Sequence, residues 1–142
     1  MNRYSRDEES FSPLLIIDGF NVLHAGVLVG RDRAGWWQEP AQHRLVERVE
    51  QFPNSSDMEI WIVFDRRSDK EGIAADVGST DTRIRVYYAP SADDWIVEQV
   101  KTLMAQRMVT VVTADRPLRD RVRHVGGELL SPRQFLAECV VT

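Results

Sequence analysis

The chain has 142 residues, room for one domain with a substantial core and too few for two ordinary ones. Charged residues make up 28% and hydrophobic ones 43%, the balance of a water-soluble globular domain, and no apolar run approaches the length of a membrane span. The net charge of −4 weighs against a chain that is basic throughout, so any nucleic-acid contact would rest on local arginines.

Residues 1–12 are polar and charged, without the apolar core of a secretory leader, and read as a lead-in to a single domain over residues 13–142. The single cysteine, Cys139, excludes an internal disulfide and fits a reducing, cytoplasmic setting. Pro13 then opens the first strand. Leu14-Leu15-Ile16-Ile17 is an unbroken apolar run, as expected of a strand covered on both faces. It stops at Asp18-Gly19, which on its own is also ordinary turn chemistry. Asn21 follows within the same turn. Val22 to Val29, containing His24, suits a short helix or an extended loop, and Gly30 to Gly35 a polar loop. Trp36 and Trp37 follow, residues that could stack on bases but more often sit half-buried at a helix start.

Pro40 to Phe52 reads as a helix, with proline in the first turn and Leu45, Val49 and Phe52 on one face. Pro53 to Asp57 breaks it. The second strand, Glu59 to Phe64, is again nearly all apolar and again runs into a carboxylate, Asp65. Arg66 to Thr82 has no clear period and reads as a long loop of the length that is often functional. Arg83 to Tyr88 alternates polar and apolar residues, so one face is wetter and an edge strand is expected. Ser91 caps a helix that should run to about Arg107, with Asp94 three residues on as in a capping box. Ile96, Val100, Leu103 and Met104 form its inward stripe. Asp93 has no evident structural duty beyond favouring the helix dipole. Met108 to Thr113 is a fourth strand, followed at once by Ala114 and Asp115. Arg116 to His124 reads as a helix with Leu118 and Val122 inward. Glu128 to Leu130 is a fifth strand, and Ser131-Pro132 starts the last helix.

Strands alternating with helices imply an α/β fold, a mostly parallel sheet of about five strands with helices on both faces. All strand carboxyl ends then share one edge. Asp18, Asp65 and Asp115 belong to it, and the helix carrying Asp93 starts from it. Acids so gathered repel and raise one another's pKa values unless a cation sits among them. An all-oxygen set suits Mg²⁺ or Mn²⁺, ions that activate water and offset charge on a phosphodiester. Arg66, Arg67 and Arg116, each just after one of these acids, could hold phosphates beside such a site. For most of these arginines, and for Arg119, Arg121 and Arg123 with them, a solvated face of a loop or helix is the plainer reading.

The motifs Leu15-Ile16-Ile17-Asp18-Gly19-Phe20-Asn21-Val22, Ile62-Val63-Phe64-Asp65, Ser91-Ala92-Asp93-Asp94 and Val112-Thr113-Ala114-Asp115 resemble, in order and spacing, the YacP-like NYN family. This is a branch of the PIN-like ribonucleases. The opening Asp-Gly-Phe-Asn is the most specific piece. The resemblance implies a three-layer α/β/α PIN-like fold and metal-dependent endonucleolytic cleavage of RNA. By residue match Asp18, Asp65, Asp93 and Asp115 form the acidic, metal-holding cluster, with Asn21 among the catalytic residues. Asp94 stands beside Asp93 as the alternative ligand. RNA is the implied partner. The ribosome, other RNA-processing proteins and a homodimer are left open, since PIN-like domains commonly pair.

The runner-up is a non-catalytic RNA- or protein-binding module on the same fold, although this chain keeps the full set of acids. An aspartyl phosphatase wants a second aspartate two residues after the first, where Phe20 stands, and a receiver domain wants a lysine after its last strand, where Ser131-Pro132-Arg133 stands. The three histidines show no zinc spacing, and Cys139 looks like core. His24 follows the first motif closely but reads best as filler.

Overall fold

A computed structural model describes residues 12–27, 39–53, 58–65 and 81–139. They form five strands, β1 (Leu14–Asp18), β2 (Glu59–Asp65), β3 (Ile84–Ala89), β4 (Val109–Val112) and β5 (Glu128–Leu130). Five helices accompany them: α1 (Gly19–Gly26), α2 (Glu39–Glu50), α3 (Ala92–Leu103), α4 (Arg116–His124) and α5 (Pro132–Glu138). Every strand pairs in parallel, in the order β3-β2-β1-β4-β5.

The unbroken apolar run of β1 is explained by its central place. Leu15 and Ile17 face a core shared with Phe20, Leu45, Val49 and Phe135 from α1, α2 and α5. Leu14 and Ile16 face the opposite core, with Ile96, Val100, Leu118 and Val122 from α3 and α4. All five β1 residues are buried. β3 alternates because it is an edge strand, with Arg85 exposed between buried Ile84 and half-buried Val86. At its outer corner Trp61, Tyr87 and Trp95 pack ring against ring, with centroids 5.1–5.9 Å apart.

Chain direction reverses across the sheet at β1. From β1 the chain moves one way through β2 to β3, then returns through α3 to β4 on the other side. A right-handed crossover must therefore change faces there, which opens a crevice at the carboxyl ends of β1 and β4.

The ends of β2, β3 and β4 differ from the sequence expectation by one residue, and three helix boundaries differ by more. The first helix starts at Gly19, before Asn21 rather than after it. The third ends at Leu103, short of Arg107, because the amides of Gln106 and Arg107 both return to the Leu103 carbonyl and close the helix in a tight turn. The Arg107 guanidinium then straps the amino edge, donating to the Ser12 carbonyl at 2.7 Å and to Glu59 at 2.9 Å. The second helix ends at Glu50, and Phe52 packs inward from the turn that follows.

Candidate active site

Asp18 ends β1 and stands at the N-cap of α1, yet its side chain makes no capping bond. The carboxylate turns instead to β4. Its Oδ2 accepts the Thr113 hydroxyl at 2.8 Å, and both residues are buried. Thr113 Oγ1 in turn accepts the Asp115 amide at 3.1 Å, which orients the hydroxyl proton toward Asp18. Asn21, in the first turn of α1, accepts the Ala114 amide at 2.8 Å through Oδ1. These bonds lock the end of β1 and the start of α1 onto the turn between β4 and α4.

Gly19 makes this junction possible. A Cβ there would lie 2.5 Å from the Phe64 ring and 2.9 Å from the Val63 carbonyl oxygen. Only glycine lets α1 begin so close to β2.

Asp65 ends β2 beside β1 and is exposed. Its Oδ1 accepts the Ala92 amide at 2.6 Å, so it caps a helix that lies 27 residues further along the chain. Asp115 caps α4 through Oδ2, accepting the Leu118 amide at 3.2 Å. Both carboxylates thus sit on helix N-termini, where exposed amides and the helix dipole favour negative charge. Asp93 and Asp94 occupy the first turn of α3. Ser91 Oγ accepts the Asp94 amide at 3.2 Å, which is half of the expected capping box. The other half is not formed, because the Asp94 carboxylate pairs with Arg121 of α4 at 3.0 Å. Asp93, half-buried, is the one that feels the other acids.

The electrostatics centre on Asp18. Burial, above all, pushes its carboxyl up to about 7. The Thr113 hydroxyl pulls the other way, and the charges of Asp93, Asp65 and Asp115 push it further up. Asp93 is also raised, first by burial and then by Asp115 and Asp65, with Arg121 opposing. Four carboxylates from four places in the chain therefore share one electrostatic neighbourhood at the switch point of the sheet.

The donor set is compatible with a hard cation. Asp18, Asp65 and Asp115 each commit one oxygen to the chain's own donors, and the other makes no bond among the described residues. Among those residues, no group of three or more histidine, cysteine, aspartate or glutamate side chains lies close enough together to hold a metal ion as they stand. Mg²⁺ keeps several waters and takes only one or two carboxylates directly, so it does not need three side chains in direct contact.

Thr113 was not singled out by the sequence, although its place two residues before Asp115 in the fourth motif was visible. Arg116 is exposed at the first position of α4. Arg66, Arg67, Trp36 and Trp37 lie outside the described residues. His24 is exposed in the last turn of α1. Cys139 is buried and its thiol is pushed up to about 11, chiefly by burial, which leaves no nucleophile there. No helix among the described residues is long and apolar enough to cross a membrane.

A parallel α/β sheet with acids gathered at its switch point is the frame of a PIN-like, nuclease-type domain. The model of the YacP-like NYN domain matches residues 15–142, and the chain belongs to that family. Among the solved structures similar to it are two of Rae1 (YacP) from Bacillus subtilis. A mutant form superposes with a TM-score of 0.68 at 21% identity, covering 89% of this chain and 74% of that one. Another Rae1 crystal structure gives 0.66 at 21% identity, over 89% and 72%. At that identity the likeness speaks for the fold. No curated protein matches the chain.

Proposed function

We propose that this protein is a metal-dependent endoribonuclease that hydrolyses RNA phosphodiester bonds at the carboxyl edge of its sheet. The observation that carries the reading is the buried carboxylate of Asp18, raised toward neutrality by burial and by three neighbouring aspartates. A stability-optimised core has no use for such a group, whereas a site built for a cation does. Family membership supports the nuclease class.

In this reading Asp18, Asp65, Asp93 and Asp115 hold Mg²⁺ or Mn²⁺, with Asp94 kept by Arg121 at the rim. When bound, the cation supplies a water of lowered pKa and offsets charge on the phosphate. The chain's own residues do the rest. Thr113 fixes the rotamer of Asp18, and Asn21 ties the two halves of the crevice together. The capping bonds hold Asp65 and Asp115 against rotation. Arg66, Arg67 and Arg116 steer the RNA backbone toward the acids.

The test is cleavage of a mixed single-stranded RNA pool with Mn²⁺ and with chelator. Internal cleavage that chelation abolishes is expected. Asp18→Asn and Asp115→Asn should each abolish turnover with RNA binding intact or tighter. Asparagine is as good an N-cap as aspartate, so the second variant keeps α4 capped and removes only the charge. A pool left whole in Mn²⁺, yet bound without regard to Asp18, would mean a non-catalytic binding module.

A further inference from the structure

Helix α4 carries four arginines against one acid, Asp120, in a chain whose net charge is −4. Leu118 and Val122 are its buried side. Arg116, Arg119 and Arg123 follow the spacing i, i+3, i+7 and so share one flank of the helix, away from that buried side. Arg121 lies on the other flank and is engaged by Asp94.

The three on the shared flank are poorly neutralised. Neither Arg116 nor Arg119 makes an ion pair among the described residues. Arg119 Nη1 donates to the Thr113 carbonyl at 2.8 Å, which pins this guanidinium beside the residue that orients Asp18. Among the described residues Arg123 pairs with Asp120 alone, at 3.4 Å, with both side chains more than 60% exposed. An exposed pair of that kind is worth little and yields readily to a stronger anion. The stripe begins one residue after Asp115 and spans about 10 Å along the helix axis. An acidic crevice and a basic stripe are thus joined end to end.

We propose that the Arg116–Arg119–Arg123 flank of α4 is a phosphate track that carries the RNA strand away from the acidic crevice, beyond the single contact at Arg116. The inference rests on the ribonuclease reading, but its test does not need turnover. Single-stranded RNA is favoured over an acidic protein because the row is a line of forked donors suited to phosphate and adjoins a site for a phosphodiester.

The experiment measures binding of a labelled oligouridylate by anisotropy in chelator, where nothing is cleaved, over a KCl series. Arg116→Gln/Arg123→Gln removes two contacts and leaves Arg119 to hold Thr113. Both side chains are exposed, so the melting temperature should match wild type, and a control on the far edge of the sheet, Arg85→Gln, should bind like wild type. The double variant should bind at least about tenfold more weakly near 100 mM KCl, and the slope of log affinity against log salt should shrink by about 1.4. With Mn²⁺, its KM for a long RNA should rise. An unchanged slope overturns the track even if wild type cleaves RNA normally. A track that passes while Mn²⁺ cleavage is absent sinks the enzyme reading instead. Tighter binding of polyglutamate than of RNA, lost in the same variant, overturns the assignment to RNA in favour of an acidic protein.

Discussion

Asp18→Asn tests the site through stability alone, without any substrate. The folded protein holds the Asp18 proton up to about 7, whereas the unfolded chain releases it near the ordinary 3.8. Between those values the native state binds more protons than the unfolded state, so stability falls as pH rises through the window and levels off above the folded pKa. At 1.36 kcal/mol per pH unit, the full cost above pH 8 is about 4 kcal/mol, against well under 1 kcal/mol near pH 4. Asparagine keeps an oxygen to accept the Thr113 hydroxyl and has nothing to ionise. Any fixed cost of its extra N–H donors is the same at every pH. In urea unfolding with chelator present, the stability of the variant relative to wild type should therefore climb steadily from pH 4 to pH 8, by about 4 kcal/mol in total. Parallel pH curves for the two proteins would refute the buried, charged Asp18 on which the site is built.

Mn²⁺ should raise the melting temperature of wild type more at pH 8 than at pH 6, because the metal must displace the Asp18 proton, and Asp18→Asn should lose most of the shift. Thr113→Val takes away the hydroxyl that lowers the Asp18 pKa and the acceptor of the Asp115 amide. Stability should drop by about 1–3 kcal/mol and the pH at which activity rises should move upward, read by urea unfolding and a pH–rate profile. Gly19→Ala forces a methyl against the Phe64 ring and the Val63 carbonyl, for a loss of about 1–3 kcal/mol in the same unfolding assay.

The sheet was legible in the sequence because burial leaves a pattern. β1 and β2 are covered on both faces and read as apolar runs, and β3 is an edge and reads as an alternation. The repeated strand-then-aspartate pattern marked the carboxyl edge before any topology was known. What the sequence hid are bonds between distant segments. Asp18 ends a strand, and its carboxylate is turned to Thr113, 95 residues away. α1 begins at once after Asp18, at Gly19, where Asp18-Gly19 taken alone reads as turn chemistry. Likewise Asp65 caps a helix that is not its neighbour, and Asp94 leaves its own capping box for Arg121. In each case the acid departs from its local role at the carboxyl edge.

That departure sorts the acids by what compensates them. Asp65 and Asp115 rest on the N-termini of α3 and α4, and Asp94 has an arginine. Asp18 has one neutral hydroxyl, is the most buried, and lies among the charges of the others. It stands at a helix N-terminus but takes no amide from it, so it forgoes the one local interaction that would have eased its burial. A sequence selected for stability alone would place asparagine or serine there and keep the cap. The chain instead concentrates an uncompensated negative charge at one buried point. A cation arriving there would relieve the burial of Asp18 and the repulsion from Asp65, Asp93 and Asp115 at once, so affinity for the ion and cost to the empty fold have the same source.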